Sequence, residues 1–212
     1  MSTLFIIGGQ STALEIRETV ELIDNGFEDI LNVVADNESC QYSFIHDKDL
    51  EAKLENTDKI FFIIGFTNIK LKNKYRTLFS ERGGIEYSVI HPQSYIAKST
   101  VIGKGVYVAA FADVSTNSVI GDGCLINYQV TIGHDSIIGE DCTFNPGAKI
   151  GGRSKIEKNC LLGANSFVLQ GLHIAHDTKV DALTYVKTNI DVPSVCKSKS
   201  EFQCVRNLYI KP

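Results

Sequence analysis

The sequence lacks several features that would assign it to a particular class of protein. Its 21 Lys and Arg are outnumbered by 25 Asp and Glu, which gives a net charge of -4 at pH 7. A chain of this charge offers no basic surface to a polyanion, so the composition argues against nucleic-acid binding. No apolar run approaches the ~20 residues that a membrane-spanning helix requires. The opening MSTLFIIGGQ has no basic lead and too short an apolar run for a signal peptide, which predicts a cytoplasmic protein.

What the sequence does contain is a repeat with a period of six residues. From Ile96 onward every sixth residue is apolar, and the residue four places after each is mostly small. Six is neither a helical nor a simple strand period. A fixed short period of this kind is typical of a parallel β-helix built from hexapeptides, in which about three hexads make one coil. The apolar positions, enough for about five coils, are Ile96, Ile102, Val108, Val114, Ile120, Ile126, Ile132, Ile138, Phe144, Ile150, Ile156, Leu162, Val168, Ile174, Val180 and Val186.

The cysteines follow the same repeat. None of the six lies in a C-x-x-C pair. Cys124, Cys142 and Cys160 are 18 residues apart, so they stack on one face of successive coils. Free cysteine behaves as a small buried hydrophobe. We therefore interpret the three as a ladder in the core rather than as a disulfide or a metal site.

The first ninety residues have a different period. Buried strands are predicted at LFIIGG, ILNVVAD, KIFFIIG and EYSVI, with helices over residues 11–25 and 68–82. Alternating strands and helices indicate a parallel sheet that binds ligands at the carboxyl ends of its strands. Gly8 and Gly9 lie at the first such end, where the amides at a helix start could hold a phosphate. The alternative is that these glycines only shape a turn, since GGQSTA lacks the G-x-G-x-x-G spacing.

Together, the hexads and the block from Ile126 to Ser166 resemble the left-handed β-helix acyltransferases, in particular the bacterial sugar acetyltransferases of the PglD and NeuD type. The resemblance implies a chain of α/β and all-β parts: a small Rossmann-like N-terminal domain, then a left-handed parallel β-helix. The left hand comes from the resemblance alone, because the general crossover rule favours the right. With Pro92 as the boundary, the predicted segments are a nucleotide-sugar domain 1–91, an acyltransferase domain 92–190 and a C-terminal tail 191–212.

The pair His134-Asp135 is the candidate catalytic centre. On the residues alone it could be an ordinary polar pair at a corner, or an imidazole that accepts a proton while the carboxylate orients it. The resemblance favours the second interpretation. It implies a catalytic His beside an acid, an Asn seven residues earlier (Asn127), and a Gly one coil later (Gly152) whose amide points at a thioester carbonyl.

The resemblance also implies the ligands and the sites that hold them. The nucleotide of a nucleotide-linked sugar is expected at Gly8, Gly9, Asp36 and Gly65, although Ser11-Thr12-Ala13 replaces the Gly-His-Gly stretch of the family. The block LLGANS resembles the wall of a coenzyme A site, which adds Gly163 and Ala164 to Gly152 as acetyl-CoA contacts. The glycine-rich end of the family's coils is missing here, where only Lys199 matches.

The predicted activity is transfer of an acetyl group from acetyl-CoA to the amine of a UDP- or dTDP-linked 4-amino-4,6-dideoxy sugar, in a homotrimer and without a metal. Two alternatives stay open: O-acetylation of a sialic-acid-like sugar, and a non-catalytic subunit that binds a sugar nucleotide. A third, a γ-class carbonic anhydrase with three zinc-binding histidines, is disfavoured. The spacing of His134, His173 and His176 does not resemble that arrangement, and His46 and His91 have no evident partner.

Overall fold

The computed structural model describes residues 2–23 and 25–198. Residues 199–212, with Lys199 and most of the predicted tail, lie outside the described residues. The N-terminal part is a parallel sheet in the order β3-β2-β1-β4-β5. Its strands are β1 (Ser2–Ile7), β2 (Asp29–Val34), β3 (Phe44–His46), β4 (Lys59–Ile64) and β5 (Ile85–Glu86). The helices are α1 (Thr12–Leu22), α2 (Leu50–Glu55) and α3 (Ile69–Ser80), and a 3₁₀ turn spans Asp47–Asp49.

Both predicted helices are present, each shorter than the pattern suggested. Helix α1 ends when Ile23 turns extended, and α3 begins after Asn68, whose side chain accepts a hydrogen bond from the Leu71 amide at 3.2 Å. Such an N-cap satisfies one of the free amides at a helix start. The sequence did not predict β3, the 3₁₀ turn or α2. The segment EYSVI is also not one strand: its first part completes the N-terminal sheet, and Val89–Ile90 joins the β-helix.

From β6 onward the chain winds through three flat sides in turn, all with parallel pairing. Five coils of three strands each, β7 to β21, form the body of the β-helix, and β6, β22 and β23 extend it at the two ends. Side 1 holds β6 (Val89–Ile90), β9 (Tyr107–Val108), β12 (Leu125–Ile126), β15 (Thr143–Phe144), β18 (Leu161–Leu162), β21 (Lys179–Val180) and β23 (Val195–Cys196). Side 2 holds β7 (Tyr95–Ile96), β10 (Asp113–Val114), β13 (Thr131–Ile132), β16 (Lys149–Ile150), β19 (Phe167–Val168) and β22 (Tyr185–Val186). Side 3 holds β8 (Val101–Ile102), β11 (Val119–Ile120), β14 (Ile137–Ile138), β17 (Lys155–Ile156) and β20 (His173–Ile174).

The hexad residues form the core of the β-helix, as the period predicts. Every hexad residue from Val108 to Val186 is buried in one cluster, and Ile96 and Ile102 pack against its lower end. The cysteine ladder is part of the same cluster. Its thiols donate to carbonyl oxygens: Cys124 to Gly139 (3.2 Å), Cys142 to Glu157 (3.0 Å) and Cys160 to Ala175 (3.2 Å). These contacts agree with a structural role.

The N-terminal sheet and the β-helix pack against each other through side 1. Outward-facing Val89, Tyr107 and Leu125 of that side are fully or almost fully buried with Leu4, Ile6, Ala13, Ile16, Val20 and Ile63. The first coils of side 1 are therefore covered, whereas its last strands are exposed at Lys179 and Val195. Sides 2 and 3 face outward along their length. The predicted boundary at residue 91 remains a prediction, since strand β6 lies just before it.

Candidate active site at a corner of the β-helix

His134 lies at the corner between sides 2 and 3, where the chain turns from β13 to β14. Its Nδ1 is 2.7 Å from Oδ2 of Asp135. Oδ1 of the same carboxylate accepts a hydrogen bond from the side-chain amide of Asn117 at 3.1 Å. Asp135 has φ 56, the left-handed conformation that Asn and Asp tolerate better than other non-glycine residues. The hydrogen bonds from His134 and Asn117 hold the pKa of Asp135 below its usual range. The carboxylate is thus ionised and fixed, and it orients the imidazole.

Gly152 lies one coil above His134, against the imidazole. A Cβ added to Gly152 would be 2.7 Å from Nε2 of His134 and 2.8 Å from Cδ2. Any residue other than glycine would therefore displace the imidazole from this position. The backbone amides on either side of Gly152 are hydrogen-bonded: Gly151 donates to the Val168 carbonyl and Arg153 donates to the His134 carbonyl. Within residues 2–23 and 25–198 the Gly152 N–H has no acceptor.

This arrangement places a proton acceptor beside a hydrogen-bond donor. Because Nδ1 faces Asp135, Nε2 is the nitrogen that faces Gly152 and is available to take a proton. An imidazole held in this way can serve as a general base. An unpaired backbone N–H next to it can stabilise an oxyanion that forms on a carbonyl group. The pair therefore has the parts that acyl transfer to an amine or alcohol needs.

Within a single copy of the protein, Asn127 does not lie next to His134 in space. It lies at the corner between sides 1 and 2, so the whole width of side 2 separates the two residues. Its side chain donates to the Phe144 carbonyl at 3.0 Å, and only 7% of the residue is exposed. A catalytic role of Asn127 stays a prediction, and within one chain its visible role is structural.

The predicted coenzyme A wall shares the corner of Asn127. Gly163 and Ala164 follow β18 and lie between sides 1 and 2, two coils above Asn127. The backbone of Asp181 and Ala182 in the next coil leaves no room for a side chain at Gly163. Two of the predicted acetyl-CoA contacts therefore lie at one corner and the third, Gly152, at another.

The N-terminal sheet has a cavity of about 360 Å³ at its carboxyl edge, where Gly8, Gly9 and Gly65 line it. Gly8 has φ 125, and a Cβ on Gly65 would be 2.6 Å from Cα of Ala13, so the glycines let α1 start close to the sheet. The backbone amides of Gln10, Ser11 and Thr12 at that start meet no backbone acceptor within the described part of the chain. Free amides at a helix start suit a phosphate.

The fourth predicted nucleotide contact, Asp36, does not line this cavity. Its Oδ1 accepts from the backbone amide of Lys48 at 3.0 Å, which closes the loop after β2. Glu38, two residues further along the same loop, lines the cavity instead, as does Thr67 on the loop after β4. Neither was predicted, because a strand-end rule identifies the first residue after a strand and not the course of the loop.

A second pair, His176-Asp177, repeats the local geometry of the first. Nδ1 of His176 is 2.7 Å from Oδ2 of Asp177, and Asn159 donates to the other oxygen at 3.1 Å. The pair lies at the corner between sides 3 and 1, as the period predicts. His173 instead contacts Glu157 through Nε2 at 3.0 Å. Among the described residues, no group of three His, Cys, Asp or Glu side chains is placed to hold a metal ion.

The comparison with protein families identifies the repeat. The family described as bacterial transferase hexapeptide (six repeats) matches residues 117–152 and 135–170, which include the His134 corner. Among curated proteins, none matches the sequence.

Solved structures with the same fold cover almost the whole chain. A mutant of perosamine N-acetyltransferase from Caulobacter crescentus, in complex with CoA and GDP-perosamine, has TM-score 0.80 and 22% identity over 92% of this chain and 91% of that one. The acetyltransferase domain of PglB from Neisseria gonorrhoeae has TM-score 0.83 and 20% identity over 92% of this chain and 96% of that one. WeeI from Acinetobacter baumannii has TM-score 0.81 and 21% identity over 89% of this chain and 93% of that one. At these identities the likeness shows the fold, a Rossmann-like domain followed by a left-handed β-helix, and it confirms the predicted resemblance at that level.

In the described residues, no helix combines the length and the apolar character that crossing a bilayer requires. Among these residues the longest helix, α3, has 12 residues.

Proposed function

We propose that the chain is an acetyl-CoA-dependent N-acetyltransferase that acts on a nucleotide-linked amino sugar. The observation that carries the proposal is the contact between His134 and Gly152: Nε2 of a carboxylate-oriented imidazole lies against a backbone whose N–H is unpaired. The cavity of about 360 Å³ at Gly8, Gly9 and Gly65, beside the free amides at the start of α1, supports a nucleotide part of the substrate. Neighbours of the same fold include a perosamine N-acetyltransferase solved with CoA and GDP-perosamine, and an acetyltransferase domain solved with acetyl coenzyme A.

In this reaction, Nε2 of His134 accepts the proton that the sugar amine releases as its nitrogen attacks the thioester carbonyl. The Gly152 N–H bonds the oxygen that becomes negative when the new C–N bond forms. The C–S bond then breaks, and His134 returns its proton to the sulfur of the departing coenzyme. Asp135 stabilises the transient imidazolium through the 2.7 Å contact with Nδ1. All atoms and protons balance with these residues alone.

The proposed assembly is a homotrimer with active sites between neighbouring β-helices. Within one chain, the predicted acetyl-CoA contacts are split between two corners, Gly152 at one and Gly163 with Ala164 at the other. A second copy of the chain could place one of these corners against the other across a shared cleft. The surface between them also favours an interface, because side 2 and its corners expose large apolar residues that water would otherwise contact: Tyr95, Phe111, Phe167, Leu169, Leu183 and Tyr185.

Sedimentation equilibrium tests the assembly. We expect a single species with the mass of three 23.4 kDa chains. Phe167→Asp, which puts a charge on the outer face of side 2, should shift the protein to the monomer and abolish turnover. A matched change on side 3, Val119→Asp, separates interface loss from a general effect of an added charge. A fully active wild-type monomer would contradict the proposal.

The substrate is tested by incubating the chain with acetyl-CoA and UDP-, dTDP- and GDP-linked amino sugars, following thiol release and identifying the product by mass spectrometry. We expect an amide on a UDP- or dTDP-linked 4-amino-4,6-dideoxy sugar, because the imidazole can accept the proton that an amine must shed. The alternative acceptor is an alcohol. Acetylation of free or CMP-linked sialic acid, with no turnover of any amino sugar, would assign O-acetylation instead. Calorimetry without any binding of coenzyme A would assign a non-catalytic subunit.

A further inference from the structure

A buried cluster of charges joins helix α3 to the β-helix. Nζ of Lys72 is 3.0 Å from Oδ1 of Asp141 and donates to the Gly123 carbonyl at 2.8 Å. Arg76, one turn further along α3, forms two parallel bonds to the same carboxylate, at 2.7 and 2.9 Å. Only 1% of Lys72 and 8% of Asp141 is exposed. Two cations from one domain therefore converge on one carboxylate of the other.

The charges of this cluster are balanced, which explains why it can be buried. Arg76 also donates through Nε to Glu86 at 3.0 Å, so two cations face two carboxylates. Burial alone would raise the pKa of Asp141, but Arg76 and Lys72 outweigh it and hold that pKa below its usual range. A buried pair of this kind adds little stability compared with apolar packing, whereas removal of one partner is costly because it leaves a buried charge. A cluster like this therefore fixes geometry more than it adds stability.

The cluster lies next to the loop that separates two cavities. Residues 65–68 lead directly into α3, and Thr67 on this loop lines both the cavity at Gly8 and Gly9 and a second cavity of about 420 Å³. The second cavity lies between the domains, and Asp141 is part of its wall together with Thr143, Asn159 and Lys179. The position of α3 on the β-helix thus sets the distance between the loop and the opposite wall.

We infer that Asp141, held by Lys72 and Arg76, is a positioning residue: it fixes the loop 65–68, and with it the nucleotide-sugar site, against the β-helix. The inference takes its substrate, a nucleotide sugar, from the proposed function. That Asp141 fixes the loop 65–68 does not depend on that function. Asp141 lies at the corner between sides 3 and 1, away from His134 and Gly152 between sides 2 and 3. Loss of the cluster should weaken the use of the nucleotide sugar and leave the use of acetyl-CoA unchanged.

Helix α3 supplies a matched pair of variants for the test. Lys72→Met removes the buried cation and keeps the bond between Arg76 and Asp141. Lys74→Met removes a cation two residues away that is 53% exposed and pairs with Asp47 of its own domain at 2.9 Å. Asp141→Asn is the stronger variant, since it leaves both cations without their shared carboxylate. Backbone hydrogen exchange over residues 65–69 and steady-state kinetics with both substrates are the measurements.

In Lys72→Met and Asp141→Asn we expect faster exchange over 65–69 and a KM for the nucleotide sugar raised about 10-fold or more, as small displacements of a binding group can cost up to ~10²-fold. The KM for acetyl-CoA should not change, and Lys74→Met should match the wild type in every measurement. A fall in melting temperature with unchanged exchange over 65–69 would show a merely structural cluster and overturn the inference. If the wild type turns over no nucleotide sugar, the proposed function fails, and the exchange data alone then decide whether Asp141 positions the loop.

Discussion

Replacing His134 with alanine is expected to lower kcat by about 10²- to 10⁴-fold, the usual contribution of a general base. The reason is geometric: Nε2 of His134 is the proton acceptor that lies against the unpaired Gly152 amide, and Asp135 holds the ring through Nδ1. The fold should survive, because His134 is a corner residue with 45% of its side chain exposed. Initial rates under saturating substrates, with circular dichroism on the same sample, make the measurement.

His176→Ala is the matched control for this result. His176 occupies the equivalent place in its turn, is 47% exposed, and contacts its own Asp177 at the same 2.7 Å. It differs in its surroundings, since no glycine takes the place that Gly152 takes above His134. We expect near-wild-type kcat for His176→Ala. Turnover that survived in His134→Ala but was lost in His176→Ala would move the active site to the other corner.

The β-helix was predictable because the sequence states its period directly. Each hexad residue must be apolar to face the narrow core, so one pattern specifies strands, corners and the face of each residue. The same arithmetic put His134 at a corner with Gly152 one coil above it, and it put His176 at a different corner. What the period could not say is which corners meet in an assembly, because this depends on the outer faces and not on the core.

The N-terminal domain was predictable only in outline. Strands β1, β2 and β4 and helices α1 and α3 have clear apolar patterns, whereas β3 and α2 are short and partly exposed, so they left no period to detect. Asp36 shows the limit of the strand-end rule: its carboxylate accepts from the Lys48 amide, whereas Glu38 lines the cavity, and the nucleotide contact of Asp36 stays a prediction. The contact between Lys72 and Asp141 joins residues 69 positions apart, so a local sequence pattern could not predict it.

Gly152→Ala is expected to reduce kcat by about 10²-fold, the cost of displacing a catalytic group by roughly 1 Å. The added Cβ would be 2.7 to 3.0 Å from three atoms of the His134 ring, too close for the imidazole to stay in place. Because that ring is the end of a half-exposed side chain, it can swing away and the coil can remain intact. The amide of residue 152 is still present in the variant, so the loss measures the displaced base more than the missing donor.

A double variant separates these causes. In His134→Ala/Gly152→Ala the ring is gone and with it the three atoms nearest to the new methyl group, so the second substitution should add little to the first. Strong non-additivity of this kind is the mark of two residues that act through one contact. We therefore expect the double variant to have the kcat of His134→Ala within about 3-fold, well inside the ~10²-fold effect of a displaced group. Additive losses would mean that Gly152 acts independently of His134, through coenzyme binding or the coil itself, and would remove the contact between them from the mechanism.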